Sequence, residues 1–157
     1  MPIRNVVKSS LVNPTCMGSG LVALDVIYEK PKNNPKFLAG GSCGNVLTIL
    51  SYFGWNSYPI SRLGNDQEGN RIIEDMKRWN VKTDFVELDS KIDSPRIIER
   101  ISEGKIPKHR FYLKCEHGNW LPQRKPFLLK SLEVIQNKFP QSNVFYFDRA
   151  SPSALET

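Results

Sequence analysis

Histidine and cysteine are scarce in this chain, and that scarcity removes several chemistries at once. Its 157 residues hold two histidines, His109 and His117, and three cysteines, Cys16, Cys43 and Cys115. A structural zinc takes about four ligands, and Cys115-Glu116-His117 is a close grouping with no second pair beside it. We therefore expect no metal site and read this stretch as a buried cysteine next to a loop histidine. An odd number of cysteines without short spacings fits reduced thiols rather than a disulfide framework. Long apolar runs are missing too. No stretch approaches the ~20 residues of a membrane helix, and Met1-Pro2-Ile3-Arg4 has no apolar segment behind it, as a secretory signal would. The expected location is the cytoplasm, away from any membrane. No Gly-Lys-Ser or Gly-Lys-Thr occurs, which excludes a Walker-type phosphate loop. Gly18-Ser19-Gly20 lacks the third glycine of the dinucleotide fingerprint, and no helix pattern follows it directly.

What is present suits one soluble globular domain, with 39% hydrophobic and 24% charged residues. The net charge of +6 is concentrated beyond residue 90, where Lys and Arg outnumber Asp and Glu 12 to 7. A nucleic-acid binder would gather such an excess on one face. Lys105, Lys108, Arg110, Lys114, Arg124 and Lys125 are instead spread through loops, without a recognition motif. We expect a solvated basic surface, or attraction to an anionic small ligand, and no nucleic-acid partner.

Residues 15–24 read as a short strand and its exit, ending at Asp25. A polar, proline-containing loop over 30–35 leads to a second short strand ending near 37–38. Val46, Leu47, Ile49, Leu50 and Phe53 recur at helical spacing before Gly54, which predicts a helix over 42–53. A strand over 58–63 runs into Gly64, and Asp66 is placed to cap a helix carrying Ile72, Ile73, Met76 and Trp79 on one face. Further strands are predicted over 83–88, 96–102 and 111–115, an amphipathic segment over 127–139, and an apolar strand over 143–147 ending at Asp148. Trp55, Trp79 and Trp120 read as packing residues. Strands alternating with helices make an α/β fold with a mainly parallel sheet. The strands over 83–115, with no helix between them, make a smaller β appendage.

Asp25, following an apolar strand, brings a carboxylate that can accept from two neighbouring hydroxyls of a polyol. Gly40 and Gly41 let backbone approach a ligand, and Asn45, one turn into the helix, offers a donor and an acceptor. Ligands of open α/β sheets collect at the carboxyl ends of the strands. Taken singly, Asp25 caps a turn and the glycines make a tight corner; the combination carries the information.

Asp25, then Gly40-Gly41 and Gly44-Asn45, then Gly54 and Gly64-Asn65-Asp66-Gln67-Glu68-Gly69 resemble in order and spacing the N-terminal signature region of the PfkB family of carbohydrate kinases. The resemblance runs over about residues 15–88 and more weakly to 157. It implies a ribokinase-like three-layer α/β sandwich with a mainly parallel sheet and a small β lid. Residues 1–157 are then the N-terminal part of a single kinase domain, with lid strands around 28–38 and 83–115. It further implies ATP-dependent phosphorylation of an alcohol group on a sugar or related polyhydroxyl substrate, with Mg2+ as cofactor, and a homodimer through the lid, as family members often form. Carried to this sequence, it implies that Asp25, Gly40, Gly41 and Asn45 contact the substrate. Arg96 or Arg100 joins them from the lid, and Asp148 or Arg149 from a strand end.

Phosphoryl transfer also needs a base and an electropositive cradle. In this family both come from a Gly-Ala-Gly-Asp stretch in the C-terminal half, and the chain contains none. The resemblance thus implies the substrate-binding half of a fold truncated in its C-terminal half. No catalytic residue and no ATP or Mg2+ ligand is identifiable, and the chain is expected to be inactive alone. Pro152 to Thr157 reads as the first turn of a helix, which favours a fragment of a longer kinase. The alternative is a non-catalytic carbohydrate- or nucleoside-binding module.

Overall fold

In the computed structural model, which describes residues 13–29, 34–102, 108–112 and 140–148, the first apolar run forms two strands rather than one. These are β1 (Thr15–Ser19) and β2 (Ala23–Glu29). Hydropathy continues without a break between them, and hydrogen bonding is what divides them. Leu21 N–H donates to the Asp148 carboxylate at 2.8 Å, and the Leu21 carbonyl accepts from the Cys43 and Gly44 N–H groups at 3.0 and 3.2 Å. Asp25 is consequently the third residue of β2, not the end of the first strand.

The chain continues through β3 (Lys36–Gly40), α1 (Ser42–Tyr52), β4 (Asn56–Gly64), α2 (Gln67–Arg78), β5 (Val86–Asp89), β6 (Arg96–Ser102), β7 (Lys108–Tyr112) and β8 (Val144–Phe147). One sheet has the order β5-β4-β1-β8 with every pair parallel. The other has the order β3-β2-β6-β7, parallel at its centre and antiparallel at both outer pairs. The strand expected over 83–88 forms as β5 and pairs with β4, from Ser61 opposite Val86 to Gly64 opposite Asp89. It therefore belongs to the main sheet and not to the appendage. Hydropathy carries no information on partner choice; here an ion pair between Arg62 and Asp89 pins the two strands. The appendage is built from β2, β3, β6 and β7. The segment over 127–139, Cys115, His117, Trp120 and Arg149 lie outside the described residues.

Local chemistry explains both helices. The ends of α1 are made by glycine: Gly41 precedes it at φ 80°, and Gly54 follows at φ 87°. There the Trp55 N–H reaches back to the Leu50 carbonyl at 3.0 Å, closing a Schellman-type stop. At the start of α2, Asp66 accepts from the Gly69 N–H at 2.7 Å, and at its end Asn80 takes φ 61° while Val81 N–H bonds the Met76 carbonyl at 3.1 Å. Lys77 and Arg78 in the last turn suit the negative end of the helix dipole.

The two helices pack on one face of the main sheet. Cys16, Leu47, Leu63, Ile72 and Met76 are buried there together with Leu24, Val26 and Ala39 from the appendage, so one core joins both sheets. Burying each of the Leu, Ile, Val and Met side chains contributes about 1.5–3 kcal/mol. Met17, Ile60 and Phe85 form a smaller buried cluster, and alternation along β1 and β4 sets Met17 and Ile60 on the opposite face. Buried Asp75, in mid-α2, accepts the Ala39 N–H at 2.7 Å and so ties the base of the appendage to the helix layer.

Candidate functional site

β2 and β3 form an antiparallel pair in which Ala23 lies opposite Gly40 and Asp25 opposite Leu38. Strand alternation sends Leu24, Val26 and Ala39 into the core, leaving Asp25 and Gly40 on the other face with Ile97 and Glu99 of β6. The Asp25 carboxylate leans over Gly40, where an added Cβ would overlap it. It accepts a hydrogen bond from the Gly41 N–H, and its Oδ1 is buried without a partner. Gly41 needs its glycine twice over, since φ is 80° and a Cβ would come within 2.5 Å of the Leu21 carbonyl oxygen. Burial, followed by repulsion from Glu99, pushes the Asp25 carboxyl up to about 6, against the lowering effect of the Gly41 N–H.

A second carboxylate approaches the same turn from β8. Asp148 leans over Gly20, accepts from the Leu21 N–H and the Ser42 hydroxyl, and likewise keeps a buried Oδ1 without a partner. Adjacent residues Gly41 and Ser42 thus hold two carboxylates that each have an acceptor left open. Asn45 stands on the first turn of α1, its N–H on the Gly41 carbonyl at 2.9 Å and its side chain exposed.

A helix N-terminus ordinarily offers free N–H groups to an anion. At α1 the Cys43 and Gly44 N–H groups are taken by the Leu21 carbonyl. The turn is therefore arranged around acceptors, which suit hydroxyl donors.

Arg96 and Arg100 are not brought to Asp25. They register with Leu24 and Tyr28 on the opposite face of β6. Arg96 Nη1 is 3.2 Å from Glu68 Oε1 on α2, and Arg100 lies over the rings of Tyr28 and Tyr112. Glu99, absent from the residues selected by sequence, is the ionisable β6 side chain on the Asp25 face. Residue type alone could not select it, because the choice depends on how β6 registers with β2.

The Gly64-Asn65-Asp66 segment forms a structural lock. Asp66 Oδ1 accepts from the Gly69 N–H and the Ser94 hydroxyl, both at 2.7 Å, and Oδ2 accepts from the Ser94 N–H at 2.8 Å. A Cβ on Gly64 would come within 2.7 Å of the Ile92 carbonyl oxygen and the Ser94 nitrogen. Burial alone would raise the Asp66 carboxyl, but the Ser94 and Gly69 hydrogen bonds and nearby Arg96 together hold it below its ordinary value. Cys16 and Cys43 are buried, and burial pushes the Cys16 thiol up. Among the described residues, no group of three or more His, Cys, Asp or Glu is placed to hold a metal ion, and no helix is long and apolar enough to cross a membrane.

The family model for pfkB family carbohydrate kinases matches residues 15–102, more than half of the chain. No curated protein matches. Among solved structures, a fructokinase with bound ATP from Xylella fastidiosa is similar at TM-score 0.63 and 17% identity, over 85% of this chain and 38% of that one. A 2-dehydro-3-deoxygluconokinase from Thermotoga maritima gives 0.61 and 15%, over 86% and 41%. An uncharacterized sugar kinase from Pyrococcus horikoshii gives 0.59 and 21%, over 85% and 42%. These likenesses show a shared ribokinase-like α/β fold, and the chain spans about two fifths of the length of each of the three.

Proposed function

Because the chain belongs to the PfkB family of carbohydrate kinases, we propose that it forms the sugar-binding part of an ATP-dependent sugar kinase. In this reading Asp25 accepts hydrogen bonds from neighbouring hydroxyls of the substrate. The observation that carries it is the buried, partnerless Asp25 Oδ1 held over the Gly40-Gly41 shelf. A buried acceptor without a donor is costly, and a ligand hydroxyl removes that cost. Gly40, Gly41 and exposed Asn45 border the same shelf, while β2, β3, β6 and β7 form the lid whose closure keeps water from competing with the sugar for the phosphoryl group. Arg96 is left out of the substrate set, since it points to Glu68.

The substrate we infer is neutral. Glu99 shares a sheet face with Asp25 and already raises its pKa, so a sugar acid or sugar phosphate would meet two carboxylates there. Lys36, on the same face, is engaged by Glu29. Among the described residues no group of three or more His, Cys, Asp or Glu is placed to hold a metal ion, and the first N–H groups of α1 are occupied. In this reading the base, the cradle and the ATP and Mg2+ ligands are not supplied by the described residues, and the chain alone is inactive.

Calorimetric titration of the purified chain with fructose, ribose and gluconate tests this reading. Fructose or ribose is expected to bind and gluconate to bind more weakly, with Asp25→Ala abolishing the heat and no sugar-dependent ATP consumption in any sample. Unchanged binding in Asp25→Ala overturns the site, and turnover by the chain alone overturns the division of labour.

A further inference from the structure

Three side chains of α2 reach the lid from behind. Glu68, Arg71 and Asp75 are three and four residues apart, which places them on one stripe of the helix. Glu68 Oε1 is 3.2 Å from Arg96 Nη1 of β6. The Arg71 guanidinium lies 4.2 Å from the centre of the Phe37 ring of β3, and Asp75 accepts the Ala39 N–H of the same strand at 2.7 Å. Register puts Phe37, Ala39 and Arg96 together on the lid face turned away from Asp25. All three contacts therefore draw the lid toward α2, and none draws it toward the sugar shelf. They differ in depth. Asp75 is buried, and a carboxylate shielded from water holds its N–H donor firmly. Arg96 and Glu68 keep 38% and 26% of their side chains exposed, and the Phe37 ring is exposed to a similar degree. Contacts of that kind shift an equilibrium by only about two- to fivefold, so they can release while the core stays folded.

We propose that Glu68 and Arg71 form a releasable latch that holds the lid back from a bound sugar, while Asp75 fixes the base about which the lid tilts. The latch rests on the reading of Asp25 as the sugar contact. A tilt toward the Asp25 face carries Phe37 and Arg96 away from α2, so closure breaks both latch contacts. Apparent affinity falls by the fraction of molecules held in the latched state. Glu68 and Arg71 touch no substrate in this arrangement and act through the lid alone, as positioning residues.

Glu68 is the partner to change, because Arg96 also helps to hold the Asp66 carboxyl low. Lid position is read by double electron–electron resonance between nitroxides at Glu74→Cys on α2 and Arg110→Cys on β7, both exposed positions, in a Cys115→Ser background. Glu68→Gln is expected to populate a second distance and, by calorimetry, to tighten fructose binding about threefold; Arg71→Gln should act in the same direction. Added salt screens the ion pair, so it should tighten binding in the parent and leave Glu68→Gln unchanged, a response that a general loss of stability does not produce. Lys77→Gln removes a charge from the opposite side of α2 and should alter neither distance nor affinity. Unchanged distances in Glu68→Gln, or fructose binding that is unchanged or weakened by it, overturns the latch. A parent chain that binds no fructose counts against the sugar assignment instead, and the nitroxide distances still decide whether the latch exists.

Discussion

Asp25 is charged at neutral pH in a place that resists charge. Its carboxyl is raised to about 6 in the fold, against an ordinary 3.8. For an acid raised by folding, the contribution to stability is fully present below the ordinary value and is lost as pH rises through the folded one. Neutral pH therefore works against the fold at this residue, and binding a hydroxyl donor offsets that penalty. Asp25→Asn keeps an acceptor for the Gly41 N–H while removing the charge. We expect it to unfold at a higher temperature than the parent at pH 7.5, with the difference shrinking as pH falls from 7 to 4. Thermal melts across that range check it, and a variant that melts lower at pH 7.5 contradicts the cause assigned to the raised pKa. Asp25, Gly40 and Gly41 were legible in the sequence because the property that matters, a carboxylate beside residues without side chains, is written in residue type and order. Residue type does not show that Arg96 turns from Asp25 while Glu99 shares its face, because the face a β6 side chain takes depends on registry with β2, more than seventy residues earlier. Asp148 was legible as a strand-end carboxylate, but its grip on Leu21 and Ser42 was not.

At the scale of elements, the sequence was most informative where structure is made locally. Both helices follow from periodicity, with Asp66 starting α2 and Gly54 stopping α1, whereas the left-handed Asn80 that ends α2 is seen only in the structure. The division of β1 from β2 and the assignment of β5 to the main sheet were hidden, since both are decided by distant hydrogen-bond partners. Asp75 was hidden for the same reason: on α2 it reads as a solvated charge, yet it holds the Ala39 N–H. The Asp66 lock joins the two levels, capping α2 while fixing Ser94 just before β6. Asp66→Ala removes a helix cap, about 1 kcal/mol, and strands the amide of buried Ser94, about 1–3 kcal/mol. The expected total loss is about 2–4 kcal/mol, read as a reduced midpoint in urea. Because folding lowers the Asp66 pKa, its stabilisation is complete above 3.8 and disappears as pH falls through the lower folded value. The difference between parent and variant should accordingly narrow in acid. A difference independent of pH down to 2 would show that the carboxylate charge does not contribute.

The whole molecule is asymmetric about its main sheet. At one end of the described order, β5 is fastened to β4 by the Arg62–Asp89 ion pair, and at the other β8 ends the row. That outer strand exposes Val144 by 42%, Phe145 by 49% and Phe147 by 40%, with Phe145 and Phe147 stacked 6.2 Å apart on one face. Strands of a parallel sheet are normally covered on both faces, and an apolar strand at a sheet edge is a template for pairing with another chain. Within Val144–Phe147 itself no Lys, Arg or Pro interrupts the apolar run. This polypeptide by itself is therefore expected to self-associate through β8 as its concentration rises. Phe145→Lys places a charge at the centre of the exposed face without entering the Cys16–Met76 core, and should shift the population toward monomer at equal concentration. Light scattering coupled to size exclusion reads the change directly. A parent chain that stays monomeric across the accessible range, or a Phe145→Lys variant that associates as readily as the parent, would place the association surface elsewhere and leave the aromatic pair of β8 as tolerated surface.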